Sequence, residues 1–220
     1  MRKRGKIVAV LSALCMSAVL SACSFSFSIG GNKFDADEYV KATLDSMYLG
    51  EHDKYIEYTK MTEEEAEDQH NRLIEAKADD FLAECEINSI SDDVRSDLED
   101  FFEEIYKNVR YEVGEAEKNG DNYIVEVVVS PSEVFSANGD ELEDALMDFL
   151  YNADYYSYTE EQEVYDDLMT AVIDTAEGWL DDISYGPEVS IMVDVVEISK
   201  NRYNIDSDDL VQVNDYLVDD

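Results

Sequence analysis

RYEVGEAEKNGDNYIVEVVVS, residues 110–130, decides the fold. In Arg110-Tyr111-Glu112-Val113 charged and apolar side chains alternate, and the return run places Tyr123, Val125, Val127 and Val129 on one side. A period of two is the pattern of a strand with one face in a core. Between the runs, Lys118-Asn119-Gly120-Asp121 has the composition of a tight hairpin turn, and Ser130-Pro131 ends the second strand. The same reading applies from Glu188 to Ile198, where Val189, Ile191, Val193 and Val195 face one way. Lys200-Asn201 then turns the chain into a short strand around Tyr203. Two hairpins make a small antiparallel sheet.

Outside the hairpins the period is helical. Ala36, Tyr39, Val40, Thr43, Leu44, Met47 and Tyr48 mark one amphipathic helix, with a short segment at 53–60 after it. Thr62 and Glu65 have capping-box spacing and open a helix with the stripe Ala66, His70, Leu73, Ile74, Lys77, Phe81 and Leu82. Ser91 begins another, carrying Val94, Leu98, Phe101, Phe102, Ile105 and Val109. Between the hairpins, Leu142, Ala145, Leu146, Phe149 and Leu150 form a stripe. Thr159 and Gln162 are expected to cap a longer helix with Val164, Leu168, Val172, Thr175, Trp179, Leu180 and Ile183. A last helix spans 207–218. The expected class is α+β, with amphipathic helices packed on one face of the two-hairpin sheet.

Composition sets the limits. The 220 residues carry 54 acidic and 16 basic side chains, a formal charge of -38, yet 45% are apolar and 11% aromatic. That apolar content supports a packed core, which an acidic disordered tail lacks. The charge excludes nucleic-acid binding, since no basic surface is left to replace phosphate counterions. Three cysteines exclude a disulfide framework.

The N-terminus carries an address. Arg2, Lys3, Arg4 and Lys6 precede an apolar run from Ile7 to Leu20, too short to cross a bilayer comfortably. Leu20-Ser21-Ala22-Cys23 resembles the lipobox of bacterial lipoproteins. The resemblance implies a signal peptide at 1–22 and a diacylglyceryl group on the Cys23 thiol. It also places the protein on the extracytoplasmic face of the bacterial cell membrane. Cleavage would remove four bases and no acid, taking the charge from -38 to -42 and leaving Cys85 as the one unmodified thiol. Residues 23–34 read as a lipid-anchored tether and 35–220 as one acidic domain. Helices followed by a hairpin sheet resemble the cone-shaped fold of the nuclear-transport-factor and cystatin-like group. The closing strand, turn and acidic helix start, Tyr203-Asn204-Ile205-Asp206, resemble lipoproteins of clostridia-type Gram-positive bacteria of uncharacterised family.

Candidate sites are few. His52 and His70 are the two imidazoles; His70 reads as a core-edge residue bonded to backbone, and His52 as an exposed turn residue. No nucleophile elbow, zinc-protease helix or phosphate loop occurs, so an enzyme is not expected. Two imidazoles and one spare thiol do not predict a zinc site of the usual ligands. Asn204, Asp206, Asp208 and Asp215 have part of a calcium-loop spacing, but the sixth position lacks glycine; helix capping is the favoured reading, with no metal and no cofactor expected. Tyr151, Tyr155, Tyr156 and Tyr158 lie between two expected helices and offer apolar area with polar tips. They are the candidate binding patch.

The expected function is therefore a noncatalytic, membrane-anchored surface lipoprotein that binds an envelope protein, a peptide or a wall component. The alternatives are a small-ligand receptor using a cone-fold cavity and, behind it, a carboxylate-based hydrolase.

Overall fold

The computed structural model describes residues 34–154 and 157–218. The described chain is α+β, with seven α-helices and an antiparallel sheet. In chain order the elements are α1 (Ala36–Tyr48), α2 (Asp53–Thr59), α3 (Glu63–Glu84), α4 (Asp92–Lys107), β1 (Arg110–Val113), β2 (Glu117–Asn119), β3 (Asn122–Ser130), α5 (Gly139–Asn152), α6 (Glu161–Ala176), β4 (Val189–Ser199), β5 (Arg202–Ile205) and α7 (Ser207–Leu217).

Both hairpins form. The strand order is β1-β3-β4-β5, and β2 pairs with the other end of β3. The first strand of the first hairpin is thus split in two. Gly114, between β1 and β2, donates its N–H to Glu126 O at 2.8 Å, and a Cβ there would sit 3.3 Å from the same oxygen. Glycine permits that close approach, and the chain steps out of the ladder before β2 resumes it. Gly120 takes the first turn position with φ 67°, and Asn201 holds φ 57° in the second turn. The hairpins join through β3 and β4 in a seven-pair register from Tyr123↔Val195 to Val129↔Val189.

The register decides the core. Val125, Val127, Val129, Ile191, Val193, Val195, Tyr203 and Ile205 are all buried, and they continue into one cluster with residues of α1, α3, α4, α6 and α7. Each such aliphatic side chain stabilises by about 1.5–3 kcal/mol when taken from water. The even positions Glu126, Ser190, Met192 and Asp194 face solvent. A one-residue slip would exchange the two sets, so the register is strongly fixed. Helices α1 and α7 contact the sheet; α3 packs on α1 and α4, α6 on α4, and α5 on α6. Asp45 ties α1 to β1 by accepting from Tyr111 Oη at 2.8 Å, and it also pairs with Lys41 at 2.6 Å.

The helix ends follow local chemistry. Thr62 and Glu65 form the expected capping box, and Ser91 Oγ accepts from Val94 N–H. The start of α6 differs from expectation. Its N-cap is Glu160, and Glu163, not Gln162, reaches back; Thr159 N–H also donates to Glu163 at 2.7 Å. A carboxylate there satisfies two orphan donors and meets the positive helix end.

The stripes between the hairpins are buried only in part. On α5 only Leu142 is buried, because α6 and a short 3-10 turn are its main neighbours and cover little more. On α6 the buried face is Met169, Val172, Ile173 and Ala176, rotated from the expected stripe. The α-helix ends at Ala176 and tightens to a 3-10 helix over Glu177–Asp182, where Trp179 is buried and its Nε1–H donates to Glu141 at 3.0 Å. Phe34, assigned by sequence to the tether, packs against Tyr39 of α1 and against Tyr123 and Tyr203 of the sheet.

Candidate functional site

The two histidines meet. His52 sits at the N-cap position of α2 and His70 on α3, and their ring centroids are 6.2 Å apart in an edge-on arrangement. His70 is buried and, as expected, bonded to backbone: its Nδ1 lies 2.8 Å from Met47 O at the end of α1. A carbonyl oxygen only accepts, so Nδ1 carries the hydrogen and the lone pair of the neutral ring sits on Nε2. His52 is half-buried, a correction to the exposed turn expected of it; its Nδ1 lies 2.9 Å from Ser46 Oγ. The turn that closes α1 causes both placements. Leu49 and Glu51 N–H donate to Asp45 O, and Gly50 takes the left-handed conformation, φ 68°, just past the helix end.

Electrostatics at the pair run in opposite directions. Burial lowers the His52 pKa, with the neighbouring His70 adding to the effect, while Glu67, Glu63 and Asp53 pull it up. Gly50 faces the other ring: a Cβ at this residue would lie 3.6 Å from His70 Nε2. Sequence reasoning took the histidines one at a time and missed the pairing. The available signal was Gly50 two residues before His52, the residue type that lets a chain turn back onto a neighbouring helix.

The aromatic candidates separate. Tyr151, at the end of α5, is 68% exposed and follows Leu150 at 36%. Tyr158 is half-buried and donates to Asp167 on α6 at 2.7 Å. Tyr155 and Tyr156 lie outside the described residues, as do Leu20, Ser21, Ala22 and Cys23.

The calcium-loop candidates fall on regular structure. Asn204 is in β5, and Asp206 N-caps α7 by accepting from Asp208 N–H at 2.9 Å. Asp215 lies further along α7. Asp209 turns back to the sheet and accepts from Asp194 N–H at 2.8 Å. Among the described residues, no group of three or more His, Cys, Asp or Glu side chains is placed to hold a metal ion.

A polar cluster lies inside the core. Tyr48 and Tyr106 stack with centroids 5.7 Å apart, and Tyr106 Oη donates to Asn214 Oδ1 on α7 at 3.3 Å. Tyr48 Oη and Asn214 Nδ2 are buried without a hydrogen-bond partner. Burial drives the pKa of both phenols well above the ordinary value, so they stay neutral. Cys85 is half-buried, and its thiol is pushed up to about 11 by burial and by Glu84. The scarce thiolate makes Cys85 a slow nucleophile at neutral pH.

This architecture belongs to the α+β class in which helices cover one face of an antiparallel sheet. A solved structure shares it: a candidate lipoprotein, YcdA, of Bacillus subtilis, with a TM-score of 0.63 and 16% identity. The match covers 84% of this chain and 56% of that one, so the chain spans little more than half the length of its structural neighbour. No protein-family model matches the chain, and neither does any curated protein. No described helix is long and apolar enough to cross a membrane.

Proposed function

We propose that this chain is a noncatalytic, lipid-anchored protein of the bacterial cell envelope that binds a protein, peptide or wall component. The observation that carries the anchoring is the coincidence, at 2–23, of a basic head, an apolar run and Leu20-Ser21-Ala22-Cys23. Likeness of fold to a candidate lipoprotein supports it. Two acyl chains on Cys23 give stable attachment where one does not. Support for binding comes from the exposed neighbours Leu150 and Tyr151, an apolar and an aromatic side chain side by side on an acidic chain that also exposes Met192, Ile198 and Tyr216.

The test of anchoring is metabolic labelling with a tagged fatty acid. The natural chain should carry label and fractionate with membranes, and Cys23→Ala should do neither. Label retained on Cys23→Ala would overturn the anchor. Binding is tested by crosslinking on intact cells: a dominant protein or wall partner lost in Tyr151→Ala supports the reading. An unchanged capture in that variant removes Tyr151 from it.

A second reading, a small-ligand receptor, draws on Tyr48 Oη and Asn214 Nδ2, which are buried and unpartnered. Native mass spectrometry of protein taken from its own cells would reveal a copurified ligand, and a clean apo mass would count against it.

A further inference from the structure

The chain has two histidines in 220 residues, 18 positions apart, and the fold brings them side by side. We propose that His52 and His70 form an open site for one borderline divalent cation of the zinc, copper or nickel class, held through both Nε2 atoms. The proposal is independent of lipid anchoring.

Four observations carry it. Each ring is oriented at its far nitrogen: His70 Nδ1 by Met47 O at 2.8 Å, and His52 Nδ1 by Ser46 Oγ at 2.9 Å. That is the arrangement in which metal-ligating imidazoles are held, with Nδ1–H bonded to an oxygen and Nε2 turned to the ion. Ser46 Oγ accepts from Nδ1–H in the tautomer that a cation on His52 Nε2 selects.

Gly50 puts no side chain over Nε2 of His70. The Nε2 edge of His70 faces Gly50, the nearest ring atom to a Cβ built there, at 3.6 Å. A side chain on that residue would cover the nitrogen and would also strain a backbone held at φ 68°.

The anchors are firm. His70 rises from the middle of α3, a helix of 22 residues, and His52 begins α2 directly after the turn. Ser46 and Met47 belong to α1, so three helices fix the pair. The ring centroids are 6.2 Å apart, about 1 Å more than the roughly 5 Å that Zn–N bond lengths and a tetrahedral angle set for two imidazoles on one ion, so an ion would draw the two rings together by that amount.

Finally, the surroundings favour a cation. Glu67, Glu63 and Asp53 all act on His52, and Glu67 lies one turn before His70 on α3. These carboxylates raise the local cation concentration and can accept from metal-bound waters. With two protein ligands the remaining positions belong to water or to a donor from a bound partner. Imidazole donors select zinc, copper or nickel over calcium and magnesium, which prefer oxygen.

The test uses the mature lipidated chain in detergent. Zinc and, separately, calcium are titrated by calorimetry into the natural chain, His52→Ala and Glu67→Gln. Copper(II) electron paramagnetic resonance supplies the ligand signature. Expected is one saturable zinc equivalent that excess calcium does not displace, weakened more than about tenfold by His52→Ala and less by Glu67→Gln. The copper spectrum should show coupling to two imidazole nitrogens. His52→Ala is the chosen probe because the buried His70 supports α1; a matching circular dichroism melt verifies the variant's fold. Zinc binding unchanged in His52→Ala, zinc displaced by calcium, or a copper spectrum without nitrogen coupling would each overturn the site in favour of diffuse binding by carboxylates.

Discussion

The ring of Phe34 lies flat on that of Tyr203, with centroids 4.2 Å apart and planes 3° from parallel. Tyr123 packs edge-on against both, at 5.6 Å from Phe34 and 5.5 Å from Tyr203. Phe34 is the first described residue, and it meets the sheet where β3 begins and the edge strand β5 runs. The stack therefore joins the start of the domain to a strand near its end, and stiffens an edge that has one strand neighbour. Phe34→Ala should lower stability by about 2 kcal/mol, from lost burial and ring contact, as read from urea unfolding. A loss below a few tenths would show that the stack carries no weight. Tyr123→Leu, which keeps an apolar side chain but removes the edge-on ring, should cost less.

The interior tyrosines give opposite expectations for one chemical change. Tyr48 Oη is buried with no partner, so Tyr48→Phe removes an unmet polar group and should be neutral or stabilising, by up to about 1 kcal/mol. Tyr106 Oη donates to Asn214, and Asn214 Nδ2 is already unpartnered. Tyr106→Phe should thus cost about 1–3 kcal/mol, because it leaves the buried amide with neither end satisfied. Paired thermal melts decide it, and equal losses in both would contradict the hydrogen-bond assignment.

The sheet was legible because Val125, Val127 and Val129, and again Ile191, Val193 and Val195, recur at every second residue, and all six are buried. The split of β1 from β2 was not, since nothing in Gly114-Glu115-Ala116 says that Glu126 O will close on the Gly114 N–H. Helix α5 misled in the other direction: Leu146, Phe149 and Leu150 have helical spacing, yet a stripe is buried only as far as a neighbour extends. The histidine pair depends on how α1, α2 and α3 pack, a long-range fact that no spacing of 18 residues encodes.

Cys85 should be a slow thiol. With its pKa pushed up to about 11 from an ordinary 9.0, the thiolate fraction at neutral pH falls by roughly 100-fold. Alkylation at Cys85 by iodoacetamide, followed by peptide mass mapping, should lag behind a free cysteine peptide by that order and recover in urea. Rates equal to the peptide in the folded state would show that the thiol is neither buried nor shielded by Glu84.

Stability should pass through a maximum in mild acid. Asp35, Asp80 and Asp209 have pKa values raised in the fold, Asp35 chiefly by its hydrogen bond to Asp37 and the others by burial. A raised carboxyl contributes stability that is fully present below its unfolded value and is lost as pH rises through the folded one. Protonation also relieves the repulsion of a chain with 54 acids and 16 bases. Glu65 and Glu163 act in the other sense. Their pKa values are lowered, first by accepting backbone N–H from Thr62 and Thr159, so their stability is present above the unfolded value and is lost as pH falls through the folded one. Tm should therefore rise as pH is lowered from neutral toward the ordinary carboxylate value of 4.5 and fall below it. Salt added at neutral pH should raise Tm, and at the maximum it should do less. Calorimetry at fixed ionic strength checks both, and a Tm that falls steadily from neutral pH downward would mean that the capping carboxylates outweigh the repulsion they stand in.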